Sequence, residues 1–79
     1  MGKNFFQLIR VAKREGVYVF RTPTGYLDYL DMVTGKSLGS WWPLPTGHYL
    51  IGDDRYEGGP FQCLNKILAM RKEFDNPKS

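Results

Sequence analysis

The apolar residues near the start of the chain recur with the period of an α-helix. They stand three and four positions apart, at Phe5, Leu8, Ile9 and Ala12, and therefore share one helix face. Asn4 is a favoured N-cap residue, and Gln7 three positions later completes a capping-box pattern. Gly16 tolerates the left-handed conformation that ends many helices. The pattern predicts an amphipathic helix over residues 4–15.

The middle of the chain alternates runs of β-branched and aromatic residues with turn residues. Such runs predict strands over residues 17–21, 26–33, 37–42 and, as a shorter strand, 48–51. The segments 22–25 and 33–36 both contain a glycine that suits a tight turn, which makes neighbouring strands antiparallel. Residues 53–59 are polar and end in glycine, so we expect a loop there.

A second amphipathic helix is predicted from Pro60 onward. Proline suits the first helical position, and the apolar residues that follow cover about half of a helical wheel. Residues 75–79 are predicted to form a frayed tail. The predicted fold is α+β in two layers: a three- to four-stranded antiparallel sheet with an N-terminal and a C-terminal helix on one face. We expect residues 1–79 to form one small domain, with the other sheet face open to water.

Composition supports a folded protein and excludes several classes. The chain has 79 residues, of which 42% are hydrophobic and 24% charged, so it has room for one domain and is not intrinsically disordered. No stretch approaches the roughly 20 apolar residues of a membrane span, and no signal-peptide pattern precedes the first helix. The single cysteine cannot form an internal disulfide. We therefore expect a cytoplasmic protein.

The residue types needed for catalysis are sparse. His48 is the only histidine, so any nucleophile–base pair must include it, yet nothing in the sequence connects it to Cys63. Cys63 falls on the apolar arc of the second helix, which indicates core packing. Asp53, Asp54 and Glu57 do not follow the spacing of a calcium-binding loop. The sequence therefore predicts neither an enzyme nor a metal or cofactor site.

Charge is distributed unevenly along the chain. The net charge is +3, but residues 1–21 carry five Lys or Arg and one Glu, whereas residues 22–60 carry two Lys or Arg and five acids. On the first helix, Lys3, Arg10 and Arg14 form a narrow basic ridge opposite the apolar stripe, with Lys13 nearby. A ridge of this kind can follow a phosphate backbone. Nucleic-acid binding through these four residues is our alternative hypothesis.

Aromatic residues on the sheet favour a protein partner. Successive strand residues point to opposite faces, so only one of Trp41 and Trp42 can enter the main core. Asp28 and Asp31 likewise fall on opposite faces, and an acidic aromatic sheet repels phosphate. We expect a partner-binding surface that contains one of the two tryptophans, two tyrosines and the acidic loop: Trp41, Trp42, Tyr26, Tyr29, Asp53, Asp54 and Tyr56.

The leading hypothesis is a non-enzymatic interaction module. It binds a protein or multi-subunit complex, and its small size is typical of inhibitory or accessory factors of phages and mobile elements. A homodimer through an open sheet edge, at residues 17–21 or 48–51, is a further expectation.

Overall fold

The computed structural model describes the backbone of residues 4–75 and the side chains of residues 4–72. Helix α1 spans Phe5–Arg14 and is capped as predicted. The Asn4 side chain accepts the N–H of Gln7 at 2.9 Å, and the Gln7 side chain accepts the N–H of Asn4 at 3.2 Å. Gly16 follows the helix with a φ of 79°, which turns the chain directly into the sheet.

The sheet is a five-stranded antiparallel meander in the order β1-β2-β3-β4-β5. Its strands are β1 Val17–Arg21, β2 Leu27–Asp31, β3 Ser37–Trp42, β4 His48–Ile51 and β5 Asp54–Glu57. The α+β class with a helix at each end is confirmed, but the expected three or four strands were too few. The missed strand, β5, lies within the segment predicted as a loop, because its four residues are mostly polar and carry no apolar alternation.

Strand β2 is shorter than predicted because its last residue begins the following turn. The Asp31 Oδ1 atom accepts the backbone N–H groups of Val33 and Thr34 at 2.7 and 3.0 Å, and its carbonyl accepts the N–H of Gly35 at 2.8 Å. These bonds begin the turn that leads into β3 at Asp31, before the predicted strand end at residue 33.

Helix α2 spans Pro60–Asp75 and packs with α1 on one face of the sheet. Asp75 is thus the end of the helix, and the remainder of the predicted tail, 76–79, lies outside the described residues. The core between the layers contains Leu8, Ala12, Val17, Val19, Leu27, Tyr29, Tyr49, Cys63, Leu64 and Ile67. We call the sheet face toward the helices the inner face and the opposite one the outer face.

Close approach of α2 to the sheet depends on Gly39 in β3. A β-bulge interrupts the register between β2 and β3 beside this residue. A Cβ atom at Gly39 would lie 3.1 Å from the side chain of Ile51 and 3.2 Å from that of Ile67. Glycine therefore leaves the space that the Ile67 side chain of α2 fills, and the helix packs against the middle of the sheet.

One of the two sheet edges predicted from the sequence is not an edge in the structure. Strand β1 is an edge, as expected, but β4 is hydrogen-bonded to both β3 and β5. The expectation that residues 48–51 form an open edge is therefore wrong, because β5 covers that strand. Among residues 4–75, no helix is long and apolar enough to cross a bilayer.

Candidate functional site

The outer face of the sheet carries a row of partly exposed, largely aromatic side chains. They alternate along the strands with buried inner-face residues, which is the pattern of a sheet covered on one side. This surface comprises Tyr18, Phe20, Tyr26, Asp28, Leu30, Ser40, Trp42, His48 and Leu50. We call it the outer-face surface; neither helix packs on it.

Three rings form a column across the outer-face surface. Trp42 stacks on Tyr26 with ring centroids 3.9 Å apart and planes inclined by 20°. On its other side, the ring of His48 lies nearly parallel to Trp42, at a centroid distance of 6.4 Å. The His48 Nδ1 atom donates to the carbonyl of Thr46 at 2.9 Å, which fixes the imidazole orientation. The column therefore presents Trp42 in a held geometry.

The two adjacent tryptophans take opposite faces, as their spacing predicts. Trp41 turns inward, where its Nε1–H donates to the carbonyl of Gly58 at 2.8 Å. Trp42 turns outward, and its Nε1 atom is buried with no hydrogen-bond partner among the described residues. Buried donors without acceptors are rare in native proteins because each one costs free energy. The sequence predicted that one of the two tryptophans faces outward, and the structure shows that it is Trp42.

Tyr29 does not belong to the surface that the sequence predicted for it. Its side chain is fully buried, at 0% exposure, and its hydroxyl donates to the carbonyl of Pro60 at 2.7 Å. Burial raises the pKa of this phenol well above its ordinary value. Tyr29 was expected to contact a partner, and that expectation is wrong because the inner position in β2 buries it under α2.

The predicted acidic loop is also rearranged. Asp53 lies in the turn between β4 and β5, Asp54 begins β5, and both are exposed. Tyr56 points inward, where it stacks on Tyr49 with ring centroids 5.3 Å apart. The Lys66 Nζ atom lies 4.8 Å from the centroid of the Tyr56 ring. The structure therefore unites only Tyr26 and Trp42 from the predicted set on one surface. Tyr29, Trp41 and Tyr56 are directed to the inner side.

Sequence reasoning missed the edge of this surface. Tyr18 is 46% exposed and stacks on Phe20 with ring centroids 5.7 Å apart. The signal was present in the strict alternation of β1, where Val17 and Val19 are buried. Because both aromatic residues are themselves hydrophobic, the alternation does not show which set faces the core until the helices are placed.

The two carboxylates of β2 separate as predicted. Asp28 lies on the outer face, where its Oδ1 accepts the hydroxyl of Ser37 at 3.0 Å and makes a longer contact of 3.5 Å with that of Ser40. Asp31 turns toward α2, where its Oδ2 atom forms an ion pair with the Nη2 atom of Arg71 at 2.7 Å. The turn amides of Thr34 and Val33, followed by Arg71, lower the pKa of Asp31.

The basic residues of α1 form a second candidate surface, on the helical layer. Arg10, Lys13 and Arg14 are all exposed, and none of them is paired with an acid in the described part of the chain. Between the helices, a shallow groove of about 170 Å³ is lined by Gln7, Arg10, Val11, Arg14 and Phe61. Lys3, the fourth predicted member, lies outside the described residues.

Residues considered for catalysis lie apart. His48 is on the outer face, whereas Cys63 is fully buried in α2 on the inner side. Burial raises the pKa of the Cys63 thiol to about 12, which keeps it protonated and unreactive at neutral pH. Residues 4–72 bring no three His, Cys, Asp or Glu side chains together in a metal-binding arrangement.

A groove opens where both helices begin. Its volume is about 450 Å³, and its walls are mostly apolar, including Phe5, Leu27, Trp41 and Phe61. The Arg21 guanidinium lies at its margin, 5.3 Å from the centroid of the Phe5 ring. Trp41 is therefore reached from this end of the molecule and not from the outer-face surface.

No protein-family model matches the chain, and comparisons with curated proteins and with solved structures find no significant similarity.

Proposed function

We propose that this protein is a non-enzymatic interaction module that binds a protein partner through the outer-face surface. The observation that carries the proposal is the row of aromatic side chains on a sheet face that neither helix covers, centred on the stack of Trp42 on Tyr26. Exposed aromatic clusters on soluble domains mark interaction sites, because they bury a large apolar area at low cost in side-chain entropy.

Charge on this surface favours a protein over a nucleic acid. Asp28 lies in the middle of the surface, and β5 adds Arg55 and Glu57 on the same face. The balance is one cation against two carboxylates. Single-stranded nucleic acids stack on exposed rings only where cations attract the backbone, and this surface repels phosphate.

Trp42 has the properties of a binding hot spot. It is partly exposed and held between Tyr26 and His48, so little rotamer freedom is lost when a partner covers it. Its truncation should therefore weaken a complex by about 2 kcal/mol or more, or about 30-fold.

The proposal is tested by affinity capture from nuclease-treated source-cell lysate. Three baits are compared: the unaltered protein, Trp42→Ala, and the control variant Phe6→Ala. Phe6 is an aromatic residue on α1 with 74% exposure, so its truncation removes a similar exposed ring from the opposite layer. The captured protein is then purified, and its affinity for each variant is measured by calorimetry.

We expect Trp42→Ala to lose the partner and Phe6→Ala to retain it. A second outer-face variant, Tyr18→Ala, guards against a folding defect in Trp42→Ala, since Tyr18 is at the exposed margin of the sheet. All variants are compared by urea unfolding. Equal affinities for the unaltered protein, Trp42→Ala and Tyr18→Ala would exclude this surface as the binding site.

Nucleic-acid binding through α1 is our second proposal. It is favoured by the three exposed cations Arg10, Lys13 and Arg14, which have no acidic partner among the described residues. A complex of this kind should weaken as salt rises, with a slope of about −0.9 per phosphate neutralised. Replacing Arg10 and Arg14 by Glu should abolish it and leave an outer-face complex intact. A salt-independent affinity would exclude this second mode.

The biological setting stays a prediction. We propose a cytoplasmic inhibitory or accessory factor of a phage or mobile element, since a module without catalytic groups acts by occupying the surface of a larger complex. A homodimer through the β1 edge is compatible with this role, because β1 pairs on one side only. Light scattering of the purified protein at several concentrations measures its oligomeric state directly.

A further inference from the structure

Asp28 occupies the centre of the outer-face surface. In the sheet register, Phe20 of β1 lies opposite it on one side and Ser40 of β3 on the other. Along the chain, Tyr26 and Leu30 are its neighbours on the same face, two residues away. Three of the four neighbours of this carboxylate are thus aromatic or apolar, on a sheet face that neither helix covers.

Only one of the two oxygens of the Asp28 carboxylate accepts a hydrogen bond from the described residues. Its Oδ1 atom is engaged by the hydroxyls of Ser37 and Ser40, at 3.0 and 3.5 Å. No side chain or amide of residues 4–72 donates a hydrogen bond to Oδ2. The single ion pair in that part of the chain joins Asp31 to Arg71 on the other face. The charge of Asp28 is therefore not neutralised by a cation of the described chain.

Aromatic pairs lie on both sides of this carboxylate. Tyr26 and Trp42 stack at 3.9 Å toward one end of β2, and Tyr18 and Phe20 stack at 5.7 Å on β1. The diagonal neighbours of Asp28 across the strands are Trp42 and Tyr18, within reach of large side chains. Ring faces attract cations through their quadrupole, so carboxylate and rings favour the same kind of ligand.

We propose that the outer-face surface receives an arginine side chain of the protein partner, with its guanidinium hydrogen-bonded to Asp28 Oδ2 and its plane against the neighbouring rings. A guanidinium satisfies both features, because it is planar, is weakly hydrated and donates several N–H groups in one plane. An ammonium pairs with the carboxylate but gains less from ring stacking. This inference rests on the proposed function, since it assigns the partner's chemistry at the same surface.

The inference is tested without a known partner by NMR titration of the ¹⁵N-labelled protein. The probes are three capped amino acids: N-acetyl-arginine amide, N-acetyl-citrulline amide and N-acetyl-lysine amide. Citrulline has the shape of arginine without its charge. The reporters are the backbone amides of residues 26–30 and 40–42 and the indole N–H of Trp42. The indole N–H of Trp41, which is bonded to Gly58 on the inner side, serves as an internal control.

We expect the arginine probe to shift the outer-face signals with millimolar affinity, and the citrulline and lysine probes to bind more weakly. Asp28→Asn should weaken arginine binding by about tenfold or more, as expected for a lost charged hydrogen bond. Glu15→Gln is the matched control, since it removes the same charge at the exposed C-cap of α1, on the opposite layer. It should change the affinity less than about twofold, as a screened surface charge does.

The arginine assignment would be overturned by equal binding of the arginine and citrulline probes, or by equal losses of arginine affinity for Asp28→Asn and Glu15→Gln. Binding of the lysine probe as strong as that of arginine would also overturn it, because the rings would then contribute nothing specific to a guanidinium. The proposed function fails separately. A captured partner that is lost with Trp42→Ala but not with Asp28→Asn supports the outer-face module and excludes the arginine contact.

Discussion

The adjacent tryptophans allow one chemical change to be compared at two faces of the same strand. Trp41→Phe and Trp42→Phe each remove the indole N–H and the same ring atoms. At Trp41 the change breaks the 2.8 Å hydrogen bond to the Gly58 carbonyl, whereas at Trp42 it deletes a buried N–H that has no acceptor in the described chain. The two variants should therefore differ in the sign of the polar contribution.

The magnitudes follow from the hydrogen-bond arithmetic. Loss of the Trp41 bond should lower the free energy of unfolding by about 1 kcal/mol, the usual net value of one bond. Removal of the unpaired Trp42 N–H should raise the free energy of unfolding by about 1 kcal/mol or more, which is the lower end of the cost of burying such a group. Both tryptophans are partly buried, so the lost apolar ring area is taken as equal at the two sites. Trp42→Phe should thus be more stable than Trp41→Phe by about 2 kcal/mol.

Urea unfolding followed by circular dichroism measures this difference. With a slope of about 1 kcal/mol/M for a small domain, the two midpoints should differ by about 2 M. Unequal slopes would be checked by a thermal melt before the midpoints are compared. A midpoint for Trp42→Phe equal to or below that of Trp41→Phe would refute the assignment of the bonded indole to the inner face and the unpaired one to the outer face.

Three further predictions concern the connection between α2 and the sheet. Gly39→Ala should lower the free energy of unfolding by about 1–3 kcal/mol in urea, because its methyl group would lie 3.1 to 3.2 Å from atoms of β4 and α2. Tyr29→Phe should cost about 1 kcal/mol by the same assay, since it breaks the 2.7 Å bond to the Pro60 carbonyl. Backbone amides and then Arg71 lower the pKa of Asp31. Its stabilising effect is therefore present at neutral pH and is lost as the pH falls below its ordinary value of about 3.9 and through the lowered folded-state pKa. Asp31→Asn should lower the Tm at pH 7 and flatten its decrease in acid; an unchanged profile would contradict the pairing.

Helix α1 was predictable because its signals are local. The capping box of Asn4 and Gln7 and the left-handed Gly16 depend on residues a few positions apart. Strand β5 was missed because it has no local signal of its own. Its four residues, Asp54–Glu57, form a strand only because β4 offers an unpaired edge and the 52–53 turn brings them beside it. Pairing of this kind depends on backbone groups and not on side-chain type.

The candidate site shows the same division between local and distant causes. The sequence placed Asp28 and Asp31 on opposite faces, and likewise Trp41 and Trp42, because strand geometry has a period of two. It did not identify which member of each pair faces outward. That choice buried Tyr29 and turned Tyr56 under Lys66, so these two residues of the predicted contact set lie on the inner side.

The amino-acid sequence by itself determined both helices, the first four strands, their order and the two-layer class, since caps, turns and hydrophobic period act over a few residues. The tertiary structure alone decided which sheet face the helices cover. Both faces carry aromatic residues, so the outcome depends on where α1 and α2 find room, and Gly39 provides that room on the inner face. The same packing leaves Trp42, Tyr26 and Asp28 together at the surface, because side chains excluded from one face of a pleated sheet must share the other.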